Sequence, residues 1–509
     1  MAELADAPDS KSGSFRGVWV RFPPSAFVAR LAAVEQLGSR QFDLLVIGGG
    51  IIGAGIAEAA TAHGLNVALV DRGDFAGATS SASTKLVHGG LRYLQLGDIR
   101  LVREAHEERR ALMNVVAPHL VHRLPFVFPL YRDGPHRPWF VRTGVLVYSA
   151  LARARLNGRI SERRALRLVP NLRTEGLHSS ALYADAWTND ARLTLANVRA
   201  AADRGAVVLN YANVVSVHAG GAEVSVDRQT VSVRSRAIVN ATGPWLDRVR
   251  RLEDPSAPPS IRLSKGVHVI VDGGEDWSAA VTIPHDKVRV SFAIPWQGKL
   301  LLGTTDTLHE GEPEEARVTD DDVRTVLAEA AVGVTGLGTV RASFCGLRVL
   351  PGGPGSTVHA RRETVYTKGS AGMLSVAGGK LTTYRRIALD ALEQLGVRNL
   401  DRKPRALPGA TGLDAISWPL ELDAATRGHL LHLYGSLAPD VLAPAVDDPS
   451  LLEPIVPGRP DLRAQDRYAH EHEWALTDED VVRRRTTAWL HGLASADASE
   501  LHRASPRLR

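Results

Sequence analysis

The stretch FDLLVIGGGIIGAGIAEAATAHGLNVALVDR, residues 42–72, most constrains how this 509-residue chain can fold. A short apolar run leads into a turn with G-x-G-x-x-G spacing, which is typical of the junction between a strand and a helix. The glycines of that turn are Gly48, Gly50 and Gly53. They allow a tight turn, a close approach of a pyrophosphate to the backbone, and close packing of helix on strand. The sequence therefore predicts a β-α-β unit that binds a dinucleotide.

The residues after the turn support this interpretation. Small residues follow at helical spacing and can pack closely on a sheet, and Gly64 ends the predicted helix. A second strand then ends at Asp71, at the spacing expected for a carboxylate that binds the ribose hydroxyls of an adenosine. The helix N-terminus faces the diphosphate. The unit does not separate NAD from FAD, but Asp71 argues against NADP, whose extra phosphate prefers a cation.

The amino-acid composition is that of an ordinary globular protein. The chain is 44% hydrophobic and 23% charged, which excludes disordered and collagen-like classes. Its single cysteine, Cys345, excludes an intrachain disulfide and fits a reducing compartment. The first residues show no apolar signal segment, and the longest apolar stretch is shorter than the roughly 20 residues of a spanning helix.

A second candidate site follows the dinucleotide unit directly. Residues 78–84 are almost all small or hydroxylated, as suits a loop that passes a diphosphate. Cations, an imidazole and a phenol then crowd around a glycine pair. These residues are Lys85, His88, Gly89, Gly90, Arg92 and Tyr93. Their concentration beside a predicted cofactor loop indicates an active site.

The rest of the chain predicts a two-layer arrangement. Period-two strands between residues 267 and 303 predict an antiparallel sheet inserted into the dinucleotide-binding part, as a substrate layer over the cofactor. Residues 376–384 return to that part as a strand, a glycine pair and a helix start, with Lys380 at the turn. A Pro- and Gly-rich linker at 404–412 leads to a largely helical C-terminal domain. His470 and His472 are two residues apart, and this spacing on a helix points the two rings apart, so no metal site is expected.

Eight runs of this sequence resemble the FAD-dependent glycerol-3-phosphate dehydrogenase family. They are GGGIIGAGIA (residues 48–57), ATSSASTKLVHGGLRYL (78–94), NATGPW (240–245), RLSKGVHVIV (262–271), IPW (294–296), LLGTTDT (301–307), CGLRVL (345–350) and AGGKLTTYRRIA (377–388). They occur in the family's order over residues 42–388. The C-terminal hundred residues resemble the family more weakly, through EHEWALTDEDVVRRRT (471–486).

The resemblance implies an α/β fold in three parts. A Rossmann-type FAD-binding domain comprises residues 41–115, 178–262 and 345–403. An antiparallel-sheet substrate domain comprises 116–177 and 263–344, and a helical C-terminal domain comprises 404–509. Residues 1–40 form an N-terminal extension to which no chemistry is assigned. The implied reaction is oxidation of sn-glycerol 3-phosphate to dihydroxyacetone phosphate, with FAD as cofactor and a membrane quinone as the usual electron acceptor.

The resemblance also assigns roles to residues. The implied catalytic residues are His88, Arg348 and Lys380. The implied substrate-binding residues are Arg92, Tyr93, Arg348 and Arg361, although Arg362 could be the matching arginine in HARRET. The expected FAD-binding residues are Gly48, Gly50, Gly53, Asp71, Thr79, Ser80, Ser81, Ser83, Lys85, Ala241, Thr242, Gly243, Gly379, Lys380, Leu381 and Thr382. Thr304, Thr305 and Asp306 are expected to position the flavin or the substrate.

The residue types suit this chemistry. A phosphate dianion favours arginine, whose planar fork binds oxygens bidentately. Histidine has an unperturbed pKa of ~6.5, and nearby cations would lower the pKa of His88 and keep it neutral, as a base requires. The alternative for His88 is a structural hydrogen bond within the HGG turn. Lys380 would stabilise an alkoxide or the reduced flavin.

Charge is distributed unevenly, with ten arginines and two acidic residues between positions 132 and 173. With Trp139, Phe140 and Tyr148 alongside, this stretch predicts a monotopic surface for anionic lipid. A solvated arginine-rich surface is the alternative. No nucleic-acid partner is expected, a homodimer is one possible assembly, and the expected location is cytoplasmic, on the inner face of the cell membrane.

Three other functions stay open at this point. An oxidase of the same fold would pass electrons to oxygen. A relative could act on an amine or a 2-hydroxy acid, because arginine also binds carboxylate. A non-catalytic flavoprotein is disfavoured by the joint presence of His88, Arg92, Arg348 and Lys380.

Overall fold

The structure is a computed structural model that describes residues 24–91, 94, 98–153, 158–352 and 364–491. Its helices are α1 (Pro24–Ser39), α2 (Ile51–Ala62), α3 (Ile99–Ala111), α4 (Pro138–Leu151), α5 (Glu162–Leu168), α6 (Asp190–Asp203), α7 (Leu246–Glu253), α8 (Asp320–Ala331), α9 (Tyr384–Gln394), α10 (Ala424–Tyr434), α11 (Ala438–Leu442), α12 (Arg463–His472) and α13 (Asp478–Asp480).

Its strands are β1 (Gln41–Ile47), β2 (Val67–Val70), β3 (Leu86–Val87), β4 (Val121–Tyr131), β5 (Arg159–Ile160), β6 (Leu177–Thr188), β7 (Val207–Leu209), β8 (Ala212–His218), β9 (Gly221–Val226), β10 (Gln229–Asn240), β11 (Ile261–Asp272), β12 (Ala280–Pro284), β13 (Val290–Trp296), β14 (Lys299–Gly303), β15 (Thr307–His309), β16 (Val340–Pro351), β17 (Val365–Lys368) and β18 (Leu374–Ala377). Short 3-10 and π-helical turns connect several of these elements.

The first sheet has a Rossmann-type core, with strand order β17-β18-β10-β1-β2-β7. Strand β1 lies parallel to both β2 and β10, and β10 lies parallel to β18. The apolar side chains of β1 are buried on both faces, as a parallel sheet requires. The carboxyl ends of β1, β2, β10 and β18 therefore meet at one edge. The predicted strand–turn–helix–strand unit is confirmed.

The second sheet has the order β15-β11-β14-β13-β12-β4-β6-β3, with β16 added on β11. Neighbouring strands from β11 to β14 pair antiparallel, as predicted, whereas β12 lies parallel to β4. Strand β4 was missed at the sequence level because Pro125 and Pro129 argue against a strand interior. Both prolines lie within the register that pairs β4 with β6. The sequence signal for this pair was therefore masked.

The predicted domain limits stay a prediction, but several strands of the second sheet lie wholly or partly in residues assigned to the FAD-binding part. Those limits assign residues 178–188 and 345–351 to the FAD-binding part, whereas β6 and β16 are strands of the second sheet. Strand β6 is buried on both faces, so its sequence shows no alternation to indicate its partner. The chain thus enters the second sheet more often than the motif order suggests.

Helices dominate the C-terminal region as described, and residues of α10, α11 and α12 share a hydrophobic cluster. In the described ranges, no helix is long and apolar enough to cross a membrane. Within the arginine-rich stretch, Pro138–Leu151 form α4, and a π-helical turn at Leu112–Val116 follows α3.

Candidate active site

Residues of both sheets line one cavity of about 950 Å³. At one end its wall contains the glycine turn and Asp71, and at the other it contains His88, Arg348 and a group of aromatic side chains. A cavity of this size, mostly apolar with a few convergent polar groups, is typical of a cofactor and substrate site.

The glycine turn has no room for side chains. Gly48 has a φ of +105°, and a Cβ there would lie 2.7 Å from the carbonyl oxygen of Ala241. A Cβ at Gly53 would lie 1.8 Å from the carbonyl oxygen of Gly48, so α2 packs directly on the turn. Gly50 caps α2 and lies at the cavity wall. The turn leaves a backbone cradle at a helix N-terminus, which fits a diphosphate.

Asp71 lies where the sequence places it, at the end of β2. Its carboxylate accepts hydrogen bonds from the backbone N–H groups of Gly49 (2.6 Å) and Gly73 (2.9 Å). Each carboxylate oxygen has a further lone pair that can accept a ribose hydroxyl. Burial raises the pKa of Asp71 to about 6, because desolvation outweighs these two hydrogen bonds. The adenosine end of the predicted FAD site is therefore chemically suitable.

The hydroxylated loop divides between the cavity and the protein interior. Thr79, Ser80 and Ser83 line the cavity, and the Ser80 hydroxyl accepts a hydrogen bond from the Ile51 N–H (2.9 Å). Neither Ser81 nor Lys85 is among the described residues that line it. Buried Lys85 forms an ion pair with Asp190 (2.6 Å). Its charge therefore stabilises the hydroxylated loop from inside the protein.

Two distant turns complete the cofactor side. Ala241, Thr242 and Gly243 follow β10, and Gly379, Lys380, Leu381 and Thr382 follow β18; all of them line the cavity. The His88 N–H donates to the Thr382 hydroxyl (3.1 Å), which in turn donates to the His88 carbonyl oxygen (3.2 Å). Residues 294 positions apart are thereby held together.

Arg348 is held in the cavity wall by the Thr304–Asp306 turn. Its guanidinium donates to the Thr304 hydroxyl (2.8 Å) and to the Thr305 carbonyl oxygen (3.1 Å). The Asp306 carboxylate lies 3.8 Å from it. A Cβ at Gly266, on the neighbouring strand, would lie 2.5 Å from the guanidinium, so this glycine makes room for it. The structure thus brings together residues from β11, from β16 and from the turn between β14 and β15.

A buried polar network that sequence reasoning missed lies behind His88. The Asp185 carboxylate accepts hydrogen bonds from the Gly89 N–H (3.2 Å), from the Tyr148 hydroxyl (2.7 Å) and from Arg109. Tyr148 is 1% exposed, so its prediction as part of a lipid-facing surface is wrong. An acid inside the apolar run ALYADAWT was the available signal, because a buried carboxylate needs partners.

Two buried histidines near the site were also missed. His106 packs against Tyr148, and burial followed by the charge of Arg109 lowers its pKa to about 3. His268 lines the cavity, stacks on Phe344 and shares a hydrogen bond with the Thr84 hydroxyl (3.0 Å). Burial, followed by the charges of Arg348 and Lys85, holds the pKa of His268 well below its ordinary value. Both rings are neutral at pH 7.

Some predicted residues lie outside the described residues. These are Arg92, Tyr93, Arg361 and Arg362. Of the predicted substrate-binding arginines, Arg348 lies within the described residues.

Comparisons with known proteins show the family of this chain. A model of the FAD dependent oxidoreductase family matches residues 43–385, and one of the C-terminal domain of alpha-glycerophosphate oxidase matches residues 390–500. A glycerol-3-phosphate dehydrogenase of Mycobacterium leprae is 37% identical over 95% of this chain and 86% of that protein. One of Synechocystis is 33% identical over 89% of each chain.

Solved structures show the same fold. The glycerol-3-phosphate dehydrogenase of Bacillus halodurans complexed with FAD has a TM-score of 0.71 at 30% identity, covering 93% of this chain and 91% of that chain. The L-alpha-glycerophosphate oxidase of Mycoplasma pneumoniae with FAD bound has a TM-score of 0.57 at 16% identity, covering 72% of this chain and 99% of that chain. The second likeness concerns the fold alone.

Proposed function

We propose that this chain, which belongs to the FAD-dependent glycerol-3-phosphate dehydrogenase family, oxidises sn-glycerol 3-phosphate to dihydroxyacetone phosphate and passes the electrons to a quinone. One observation carries the proposal: Arg348, preset by Thr304 and Thr305, shares a cavity with the cofactor-binding turn and with His88. A fixed guanidinium at one wall and an imidazole in the same cavity suit a phosphorylated alcohol.

The residues divide the chemistry among them. Arg348 binds the phosphate of the substrate through its fork, and the Thr304–Asp306 turn keeps that fork oriented when no substrate is present. His88 takes the proton of the C2 hydroxyl, and Lys380 stabilises the negative charge that develops beside it. The glycine turn and Asp71 would hold FAD, which would supply the acceptor for the hydride of C2. The aromatic wall formed by Phe126, Phe128 and Phe292 excludes water from the reacting carbon.

Anaerobic addition of substrate to the purified protein tests the reaction. Glycerol 3-phosphate is expected to bleach the flavin absorbance within one turnover, whereas glycerol, lactate and glycine at equal concentration are not. Bleaching by lactate or glycine but not by glycerol 3-phosphate would assign the site to a 2-hydroxy acid or an amine. An unchanged spectrum with every compound would identify a non-catalytic flavoprotein.

The acceptor is tested separately. A quinone analogue is expected to reoxidise the reduced protein at least tenfold faster than dissolved oxygen does. Hydrogen peroxide formed in step with substrate consumption would instead assign an oxidase.

The outer face of α4 supports the choice of a membrane quinone. Its exposed apolar side chains include Trp139, which is 62% exposed, and Phe140, which is 45% exposed. Leu146 and Val147 are also exposed on this helix, and the exposed Arg137 precedes it. An apolar face with arginines beside it suits the headgroup region of an anionic bilayer.

Co-sedimentation with vesicles that contain anionic lipid tests this surface. A Trp139→Ser/Phe140→Ser variant is expected to lose most vesicle binding at low salt. The control is Val446→Ser, which replaces a similarly exposed apolar residue of the C-terminal region. Equal binding by both variants would remove α4 from the membrane-facing surface. Size-exclusion chromatography tests the predicted homodimer.

A further inference from the structure

The C-terminal segment Asp478–Arg485 reaches the cofactor cavity at its adenosine end. Glu479, Asp480 and Arg484 line that end together with Asp71 and Asp74. The segment belongs to the motif EHEWALTDEDVVRRRT, and the reaction proposed above uses none of its residues. A helical domain that lies beyond the dinucleotide fold in sequence therefore supplies part of the dinucleotide site's wall.

Asp74 connects the two parts directly. Its carboxylate pairs with Arg485 (2.5 and 2.8 Å) and with the Nε of Arg484. It also accepts a hydrogen bond from the Asn210 amide (3.1 Å). Burial works to raise the pKa of Asp74, but Arg485 and Arg484 outweigh it and hold that pKa below its ordinary value. The loop after β2 is thus fixed by residues more than 400 positions away.

A second connection passes through Asp480. Its carboxylate accepts hydrogen bonds from the Tyr211 hydroxyl (2.7 Å) and from the Nη2 of Arg484 (2.7 Å). The Tyr211 N–H donates to the Gly73 carbonyl oxygen (3.0 Å), and the next N–H, of Ala212, donates to the carbonyl oxygen of Asp71 (2.7 Å). This series of hydrogen bonds therefore links Asp480 to Asp71, the carboxylate predicted to bind the ribose.

The charges of this cluster balance. Asp74 and Asp480 offset Arg484 and Arg485, and Arg485 is fully buried with its remaining donors on the Glu473 carbonyl oxygen. Buried ion pairs persist only where their partners are held in place, and removing one partner leaves an uncompensated charge. Arg484 is the arginine of this pair that reaches the cavity, so it is the member best placed to affect a ligand.

We propose that Arg484, seated between Asp74 and Asp480, is a cofactor-positioning residue through which the C-terminal domain holds the adenosine half of FAD. It keeps the 71–74 loop in the conformation in which the Asp71 carboxylate meets the ribose, and its own guanidinium forms part of the wall. The flavin half, which lies toward His88 and Arg348, does not depend on it.

The test measures binding of FAD and of FMN to apoprotein, since FMN lacks the adenosine half. Arg484→Gln is expected to raise the Kd for FAD about tenfold, the loss of one charge-assisted hydrogen bond, and to leave the Kd for FMN within about twofold. The control is Arg483→Gln, which removes the adjacent exposed arginine and is expected to change neither constant.

Two results would overturn the proposal. One is an unchanged Kd for FAD in Arg484→Gln, and the other is an equal rise of both constants, which would indicate a merely structural role. Arg484→Lys keeps the charge but loses the fork, and it serves if the glutamine variant does not fold. Its Kd for FAD is expected to rise about threefold with the FMN value again unchanged.

Discussion

The two ends of the cavity are built in different ways. The core of the dinucleotide end comes from one continuous stretch, in which Gly48 to Asp71 bring a turn, a helix N-terminus and a carboxylate to one edge of the first sheet. The turns after β10 and β18 and the C-terminal segment only complete its wall. The substrate end joins His88, the Thr304–Asp306 turn, Arg348 and Thr382, which come from four separate segments. A motif is therefore enough to predict a binding cradle, whereas a catalytic site requires a fold.

The largest expected effect is the loss of flavin from the dinucleotide end. A Gly53→Ala variant places a Cβ 1.8 Å from the Gly48 carbonyl oxygen, so the turn and α2 cannot keep their packing. We expect the purified variant to lack flavin, as measured by the ratio of flavin to protein absorbance. The control is Gly144→Ala in α4, where a Cβ would meet nothing within 4 Å. Full flavin content in the Gly53→Ala protein would show that FAD binding does not depend on the packing of this turn on α2.

The substrate end should lose activity without losing its cofactor. We expect Arg348→Ala to lower kcat/KM for glycerol 3-phosphate about 10³-fold, because two charge-assisted contacts to phosphate, each worth ~2 kcal/mol, are removed. Flavin content should not change. Arg341→Ala, which lies on the same strand and pairs with Asp272, is the matched control. A colourless Arg348→Ala protein would show that the two ends are not separable.

A smaller effect is expected for the base. His88→Gln should slow anaerobic flavin reduction by glycerol 3-phosphate about 10²-fold, the usual contribution of a positioned general base. The pH profile of kcat/KM should also lose the limb that reports the imidazole. His309→Gln, in β15, is the control. Reduction at the unaltered rate would show that the imidazole of His88 does not take the proton.

The smallest expected effect tests the role of Asp71 at the dinucleotide end. Because the pKa of Asp71 is about 6, lowering the pH below 6 protonates the carboxylate and removes an acceptor for the ribose hydroxyls. The Kd for FAD should therefore rise by at most about tenfold per pH unit below 6. Asp71→Asn should weaken FAD binding at neutral pH and flatten the profile between pH 5 and 8. A pH-dependent Kd that persists in Asp71→Asn would assign the titration to another group.

Ionisation of Asp71 has opposite effects on binding and on stability: it favours FAD binding but lowers the stability of the folded apoprotein. The folded-state pKa of Asp71 is raised above its ordinary value of 3.8, so ionisation opposes folding of the apoprotein as the pH rises through about 6. Asp71→Asn apoprotein should therefore melt at a higher temperature than the unaltered apoprotein at pH 8, and the difference should shrink at pH 4. Calorimetry of both apoproteins measures this.

Sequence reasoning succeeded where neighbouring residues carry the signal. Glycine spacing predicted the turn, and strand alternation predicted the antiparallel strands β11 to β14. It failed at Tyr148, whose place on an aromatic and basic helix indicated a lipid-facing residue, although its hydroxyl pairs with the buried Asp185. It also assigned no role to Asp74, because the arginines that hold it lie 410 and 411 residues further along the chain.

The amino-acid sequence by itself determined the dinucleotide cradle and the family. A tight turn depends on the φ values and sizes of a few adjacent residues, so a short segment of sequence determines it. Only the tertiary structure decided that Arg348 rests on Thr304 and Thr305, and that the C-terminal arginines meet Asp74. Such contacts form when remote apolar faces are buried together, and that burial depends on every segment that shares the core.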